Sequence, residues 1–119
     1  MDPNPLEAAT VLAVTRFALD GDPSFADRAT VALHALAACQ GYRSGRLARS
    51  IDEPARWVLV TEWASVGAYR RALGSYDVRV NAARLLGQSE DEPSAYEILT
   101  EISAEGTVRN VGSDRSDLR

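Results

Sequence analysis

The sequence contains no lysine; all 13 of its basic residues are arginine. Together with the many alanines, this reads as the coding bias of a GC-rich genome rather than as function. Cys39 is the sole cysteine, which excludes an intrachain disulfide and leaves no cysteine cluster for a structural zinc. His34 is the sole histidine, so no Ser-His-Asp set assembles around a choice of bases. The phosphate-cradling patterns GxGxxG and GxxxxGK are both absent. No apolar run approaches the roughly 18 residues that span a bilayer. The start, MDPNPLEAAT, lacks a basic region followed by an apolar one, so no secretory signal is expected and the default location is the cytoplasm. A net charge of −4 argues against a nucleic-acid surface.

What is present fits one domain. The chain has 119 residues, 45% hydrophobic and 25% charged, enough for a modest core. Residues 1–10 hold two prolines and no period, and read as a flexible arm. The pattern predicts a first strand over Val11–Leu19. Asp20-Gly21-Asp22-Pro23 is a turn that opens a helix, with Asp22 as N-cap and Pro23 as the first helical residue. That helix runs to about Cys39, with Phe25, Ala29, Leu33, Leu36 and Ala37 as its apolar stripe, and Gly41 closes it. A second strand over Tyr42–Arg49, a polar turn and a third strand over Arg56–Trp63 come next. Ser65 caps a helix over Val66–Leu73, Gly74-Ser75 interrupts it, and a further helical piece covers Tyr76–Leu86. Ala95–Ile102 reads as the fourth strand, and residues 103–119 as a disordered tail.

The order β-α-β-β-α-β predicts an α+β, ferredoxin-like domain over 11–102, with both helices on one face of a four-stranded antiparallel sheet. Strand alternation assigns the faces. Trp57, Leu59, Thr61 and Trp63 share one side of the third strand, and Val11, Ala13, Thr15, Phe17 and Leu19 one side of the first. The bulky aromatics belong under the helices. Leu12, Val14, Val58 and Val60, with Leu99, then fall on an uncovered apolar face, the mark of an interface.

Gly41-Tyr42, the polar turn with Asp52 and Pro54, and the set Trp57, Trp63, Ser65, Ala68 and Tyr69 resemble the antibiotic biosynthesis monooxygenase family of dimeric α+β barrels. The resemblance spans about Val11–Ile102. It implies a homodimer packed sheet to sheet, with a pocket between sheet and helices in each protomer. From the charge and the absence of a long apolar run, no nucleic-acid or membrane partner is expected. One group of the family oxidises phenols, quinols or anthrones to quinones with O2, using neither metal nor flavin. Its pocket tryptophan and tyrosine match Trp63 and Tyr69 here. Its asparagine position falls on Leu59, a departure, and its arginine position falls near Arg84. Thr15, Phe17, Leu59 and Thr61, on the helix-facing side of the sheet, then line the substrate pocket. A second group degrades haem. Its asparagine, tryptophan and axial histidine fall on Thr15, Ala72 and Asn81, so all three are lost.

Each candidate also has a structural role open to it. Trp63 either stacks on an aromatic substrate or closes the seam between sheet and helix. Tyr69 either bonds a phenol oxygen or keeps its ring in the core and its hydroxyl in water. Arg84 either stabilises an anion or is solvated. Trp57 reads as core, Tyr42 and Tyr76 as edge residues, and Arg70 and Arg71 as a solvated face. His34 lies beside the apolar stripe rather than in it, and Cys39 reads as an inert thiol at a helix C-terminus. Two functions remain open: a cofactor-independent monooxygenase acting on a small electron-rich aromatic, or a non-catalytic barrel that binds a small apolar ligand or haem.

Overall fold

A computed structural model describes residues 8–92 and 94–112. Strand β1 (Val11–Ala18) leads to helix α1 (Phe25–Ala37), then to strands β2 (Tyr42–Arg49) and β3 (Arg56–Trp63). Three helices come next, α2 (Val66–Leu73), α3 (Tyr76–Asn81) and α4 (Ala83–Leu86). The described chain ends in β4 (Ala95–Glu97), β5 (Thr100–Ile102) and β6 (Val108–Asn110). Four strands form one antiparallel sheet in the order β2-β3-β1-β4, the expected ferredoxin-like arrangement. No helix among the described residues is long and apolar enough to cross a membrane.

The faces fall as alternation requires. Val11, Ala13, Phe17, Leu59, Thr61 and Trp63 are buried under the helices. Each large apolar side chain among them contributes about 1.5–3 kcal/mol by leaving water. Leu12, Val14, Val58 and Val60 occupy the other face and are only partly covered. Leu99 does not join them, because it lies beyond the sheet, at the turn into β5, and is exposed.

Four local expectations are corrected. Helix α1 begins at Phe25 rather than Pro23, because Asp22 spends its carboxylate outside the helix. Asp22 Oδ1 accepts from the Ser24 backbone N–H at 3.0 Å and from its hydroxyl at 2.7 Å, and Oδ2 accepts from Arg28 at 2.6 Å. The buried stripe of α1 is Phe25, Ala29, Ala32, Ala35 and Leu36, while Ala37 is exposed in the last turn. The piece expected over Tyr76–Leu86 breaks at Ala82, whose φ of −130° leaves the helical region.

The fourth correction concerns the chain ends. The fourth strand is two strands, because the sheet runs out beneath it. β4 pairs only with Val11–Ala13, the start of β1, and the last link is from Ile98 N–H to the Thr10 carbonyl. The chain then leaves the sheet, and β5 pairs with β6 instead. Residues 103–110, expected as tail, therefore close a hairpin, while 113–119 lie outside the described residues. At the other end, residues 1–7 lie outside the described residues, but Ala9 is buried and Thr10 is tied down. Its backbone N–H donates to Trp63 O and its hydroxyl to Ala64 O, both at 2.8 Å.

Candidate functional site

Trp63, the last residue of β3, is completely buried. Strand register brings Tyr42 opposite it, and the two rings meet edge to face with centroids 5.5 Å apart. Immediately after Trp63 the chain turns into α2. The Ser65 side chain accepts from Ala68 N–H at 3.0 Å, the cap expected from sequence. One turn in, Tyr69 lays its ring 5.8 Å from that of Trp63, tilted by 59°. Gly41 permits this closeness. Its φ of +92° favours glycine, and a Cβ there would strike the Cβ of Ala68.

The polar atoms of the cluster are placed as tightly as its rings. The Trp63 indole N–H donates to the Thr61 hydroxyl at 2.8 Å, and Thr61 is itself buried. The Tyr42 hydroxyl lies over Gly45, where a Cβ would strike it and come within 2.6 Å of Leu33 Cδ1. Burial raises the Tyr42 pKa above its ordinary 10.0, since the phenolate is the form that suffers from lost water.

A cleft of about 480 Å³ opens on the helix side of the sheet, at the β4 edge. Val11, Val66, Tyr69 and Ala95 supply its body; Arg70, Tyr96 and Glu97 supply its polar groups. Trp63 is not among the lining residues; it stands behind Tyr69 as a buried wall. The arrangement offers an apolar slot with a phenol, a guanidinium and a carboxylate on its walls.

The sequence-predicted residues do not all converge there. Trp63, Tyr69 and Thr61 come together. Arg84 does not: it is exposed on α4 and lines none of this cleft, whereas Arg70, also exposed, does. Phe17 belongs to a different aromatic group, 5.0 Å from Phe25, which in turn lies 5.3 Å from Trp57. Leu59 is core between these ends. Thr15 lines a separate cleft of about 310 Å³ with Leu86 and the acidic loop at Glu90–Glu92. Trp57, expected as core, is half-buried beneath the Arg49 guanidinium, 5.4 Å from its ring centre. Arg49 and Trp57 help wall a cleft of about 470 Å³ at that end. His34 is exposed, and the Cys39 thiol donates to Ala35 O at 3.5 Å.

Tyr42, read as an edge residue, was missed by sequence reasoning; Arg70, read as solvated, is exposed as expected and also borders the cleft. Pairing β2 with β3 across the polar turn would have set Tyr42 against Trp63. Nothing in the pattern separates Arg70 from its neighbour Arg71.

The family model described as antibiotic biosynthesis monooxygenase matches residues 9–84. With the sheet order and the Trp63–Tyr69 seam, this places the protein: the chain belongs to the antibiotic biosynthesis monooxygenase family. Among solved structures it is similar to SnoaB, a cofactor-independent oxygenase from Streptomyces nogalater. That likeness has 24% identity and a TM-score of 0.66 over 82% of this chain and 98% of that one. A conserved protein from Methanosarcina mazei Go1 matches at 12% identity and a TM-score of 0.63, over 76% of this chain and 94% of that one. Protein SO0527 from Shewanella oneidensis matches at 19% and 0.55, over 76% and 91%. At these identities the structures share the fold. No curated protein is significantly similar to the sequence.

Proposed function

We propose that this protein is a cofactor-independent monooxygenase that oxidises a small phenol, quinol or anthrone with O2 in the Tyr69 cleft. The observation that carries the reading is the Tyr42–Trp63–Tyr69 cluster, which backs an apolar slot with Tyr69 on its wall. Membership of the family and likeness in fold to a cofactor-independent oxygenase support it.

The chemistry asks little of the protein. The substrate loses a proton, and Glu97 on the wall is a carboxylate base for it. The anion gives one electron to O2, and the resulting radical pair joins carbon to oxygen. Loss of water leaves the new carbonyl: one substrate and one O2 give one quinone and one H2O. Tyr69 holds the substrate oxygen by a hydrogen bond. Arg70, rather than Arg84, is the cation beside the developing charge. Trp63 and Thr61 act one step back, as positioning residues that fix the Tyr69 ring.

In the same reading the chain is a homodimer in the cytoplasm, its copies joined through the Leu12, Val14, Val58 and Val60 face. Those four side chains are only partly covered, on the side of the sheet opposite the buried core residues.

A second reading, a barrel that holds a small apolar ligand or haem without turnover, draws on two observations. The Trp63 N–H is already committed to Thr61, and an apolar Leu59 stands where the resemblance has asparagine. An anaerobically prepared anthrone, mixed with aerated protein, separates the readings. Wild type is expected to consume it at least tenfold faster than Tyr69→Phe, with quinone and O2 uptake in equal amounts. If wild type and variant both match buffer, the enzyme reading fails. A haem titration followed at the Soret band then tests the second.

A further inference from the structure

The cleft of about 470 Å³ at the Trp57 end of the sheet holds charge that the fold leaves unspent. One wall is the turn between β1 and α1; the other is the end of β2 with the turn into β3. Leu19, Pro23, Pro54, Ala55 and Trp57 give it an apolar lining. Both walls are tied in place. The Leu19 N–H donates to Ala55 O at 2.8 Å, which joins one wall to the other. Asp22 holds the first turn by accepting from the Ser24 N–H at 3.0 Å and from Arg28 at 2.6 Å. The Ser50 N–H donates to Arg56 O at 2.8 Å and closes the second turn.

The acids around the cleft are already used, with one exception. Asp22 serves Ser24 and Arg28. Glu53 and Glu90 both go to Arg56, at 2.9 and 2.8 Å. Arg49 is left over: among the described residues it pairs with no carboxylate. Its guanidinium rests on the Trp57 ring, 5.4 Å from the centre. Stacking of this kind orders a long side chain and leaves its N–H groups free to donate. Asp20 is the exception among the acids. It is exposed, lines the same cleft, and has no partner among the described residues, Arg49 included.

We propose that this cleft binds a small zwitterion with an apolar or aromatic side chain, the chemistry of a free α-amino acid. Arg49 takes the carboxylate, Asp20 takes the ammonium, and the side chain lies against the apolar lining. A plain anion would meet Asp20 and a plain cation would meet Arg49, so each would be repelled by one charge it cannot use. The volume lies in the range of small-molecule sites, about 300–1,000 Å³. The walls need little reordering, which lowers the cost of binding. This site does not depend on the monooxygenase reading, because it shares no lining residue with the Tyr69 cleft.

The two indole N–H resonances make the test internal to one protein. L-phenylalanine is titrated into the full-length chain and followed by proton–nitrogen NMR. The Trp57 signal is expected to move with a dissociation constant of about 1 mM, while that of the buried Trp63 stays in place. 3-Phenylpropionate and phenethylamine, each lacking one of the charges, are expected to bind at least about tenfold more weakly. Phenylalanine should weaken by a similar factor with Asp20→Asn and with Arg49→Gln, the unmoved Trp63 signal reporting an intact fold. A Trp57 signal that stays still at about 10 mM phenylalanine overturns the site. Binding that both variants leave unchanged also overturns it. Phenylpropionate or phenethylamine binding as tightly as phenylalanine overturns the zwitterion.

Discussion

Two tryptophans six residues apart on one strand face end in opposite states. Trp63 is completely buried, edge to face with Tyr42, and its N–H is satisfied by Thr61. Trp57 is half-buried, with Phe25 at its edge and Arg49 over its ring. Alternation treats them alike. Their fates differ because their neighbours along the chain differ. Directly after Trp63 comes a capped helix that folds back over it. Trp57 enters its strand from a polar turn, and the long side chain of Arg49 is its outer cover. A strand face supplies direction, while burial comes from the element that arrives on top.

The sharpest way to break the comparison is to delete both rings. Trp63→Ala should cost about 3–5 kcal/mol in urea unfolding, the range for removing a large buried aromatic. Trp57→Ala, at the open end, should cost less than half as much. Equal losses would mean that the two ends are packed alike.

A smaller effect sharpens the account of the Trp63 end. Thr61→Val keeps the shape and removes the acceptor, leaving a buried indole N–H without a partner. The expected loss is about 1–3 kcal/mol. Replacing Trp63 by Phe in the same protein should recover part of it, since the orphaned donor is then gone.

The smallest effect is in the pH dependence, where the two ends have opposite signs. Near Trp57, Asp22 is held below its ordinary 3.8 by hydrogen bonds from Ser24 and then from Arg28. Its contribution is present above that value and is lost as pH falls through the folded pKa. Near Trp63, burial holds Tyr42 above 10.0. The unfolded chain ionises first there, so stability falls as pH rises past 10. Asp22→Asn should flatten the acid limb of a stability profile, and Tyr42→Phe the alkaline limb. A variant that flattens the wrong limb would refute the assignment.

Much of this fold was legible in the residues. The run Arg56–Trp63 is β-rich and apolar on both faces, which marks it as a strand, and Ser65 marks a helix start with a side chain that can accept from the first turn. Gly41 marks a place where the backbone must turn left-handed and let α2 approach. Less of the site was legible. Arg84 sits at the right distance in sequence, yet α3 and α4 break at Ala82 and carry it outward. Thr15 and Phe17 share a face with Trp63 but lie toward the other end of β1, and an 8-residue strand is long enough to serve two neighbourhoods. Ala95–Ile102 alternates throughout, but β1 pairs with only its first three residues.

The sequence by itself determined the layers as far as α2: where β1, α1, β2, β3 and α2 lie, and which side of β1 and β3 faces the core. Those are local properties, set by backbone preference and the period of apolar residues over one or two turns. Only the tertiary structure decided who meets whom. Tyr42 reaches Trp63 through strand register, Arg70 rather than Arg84 reaches the cleft through the crossing of α2, and the chain's last strands leave the sheet where β1 ends. These depend on contacts between residues distant in the chain, and no local pattern encodes where one element stops beneath another.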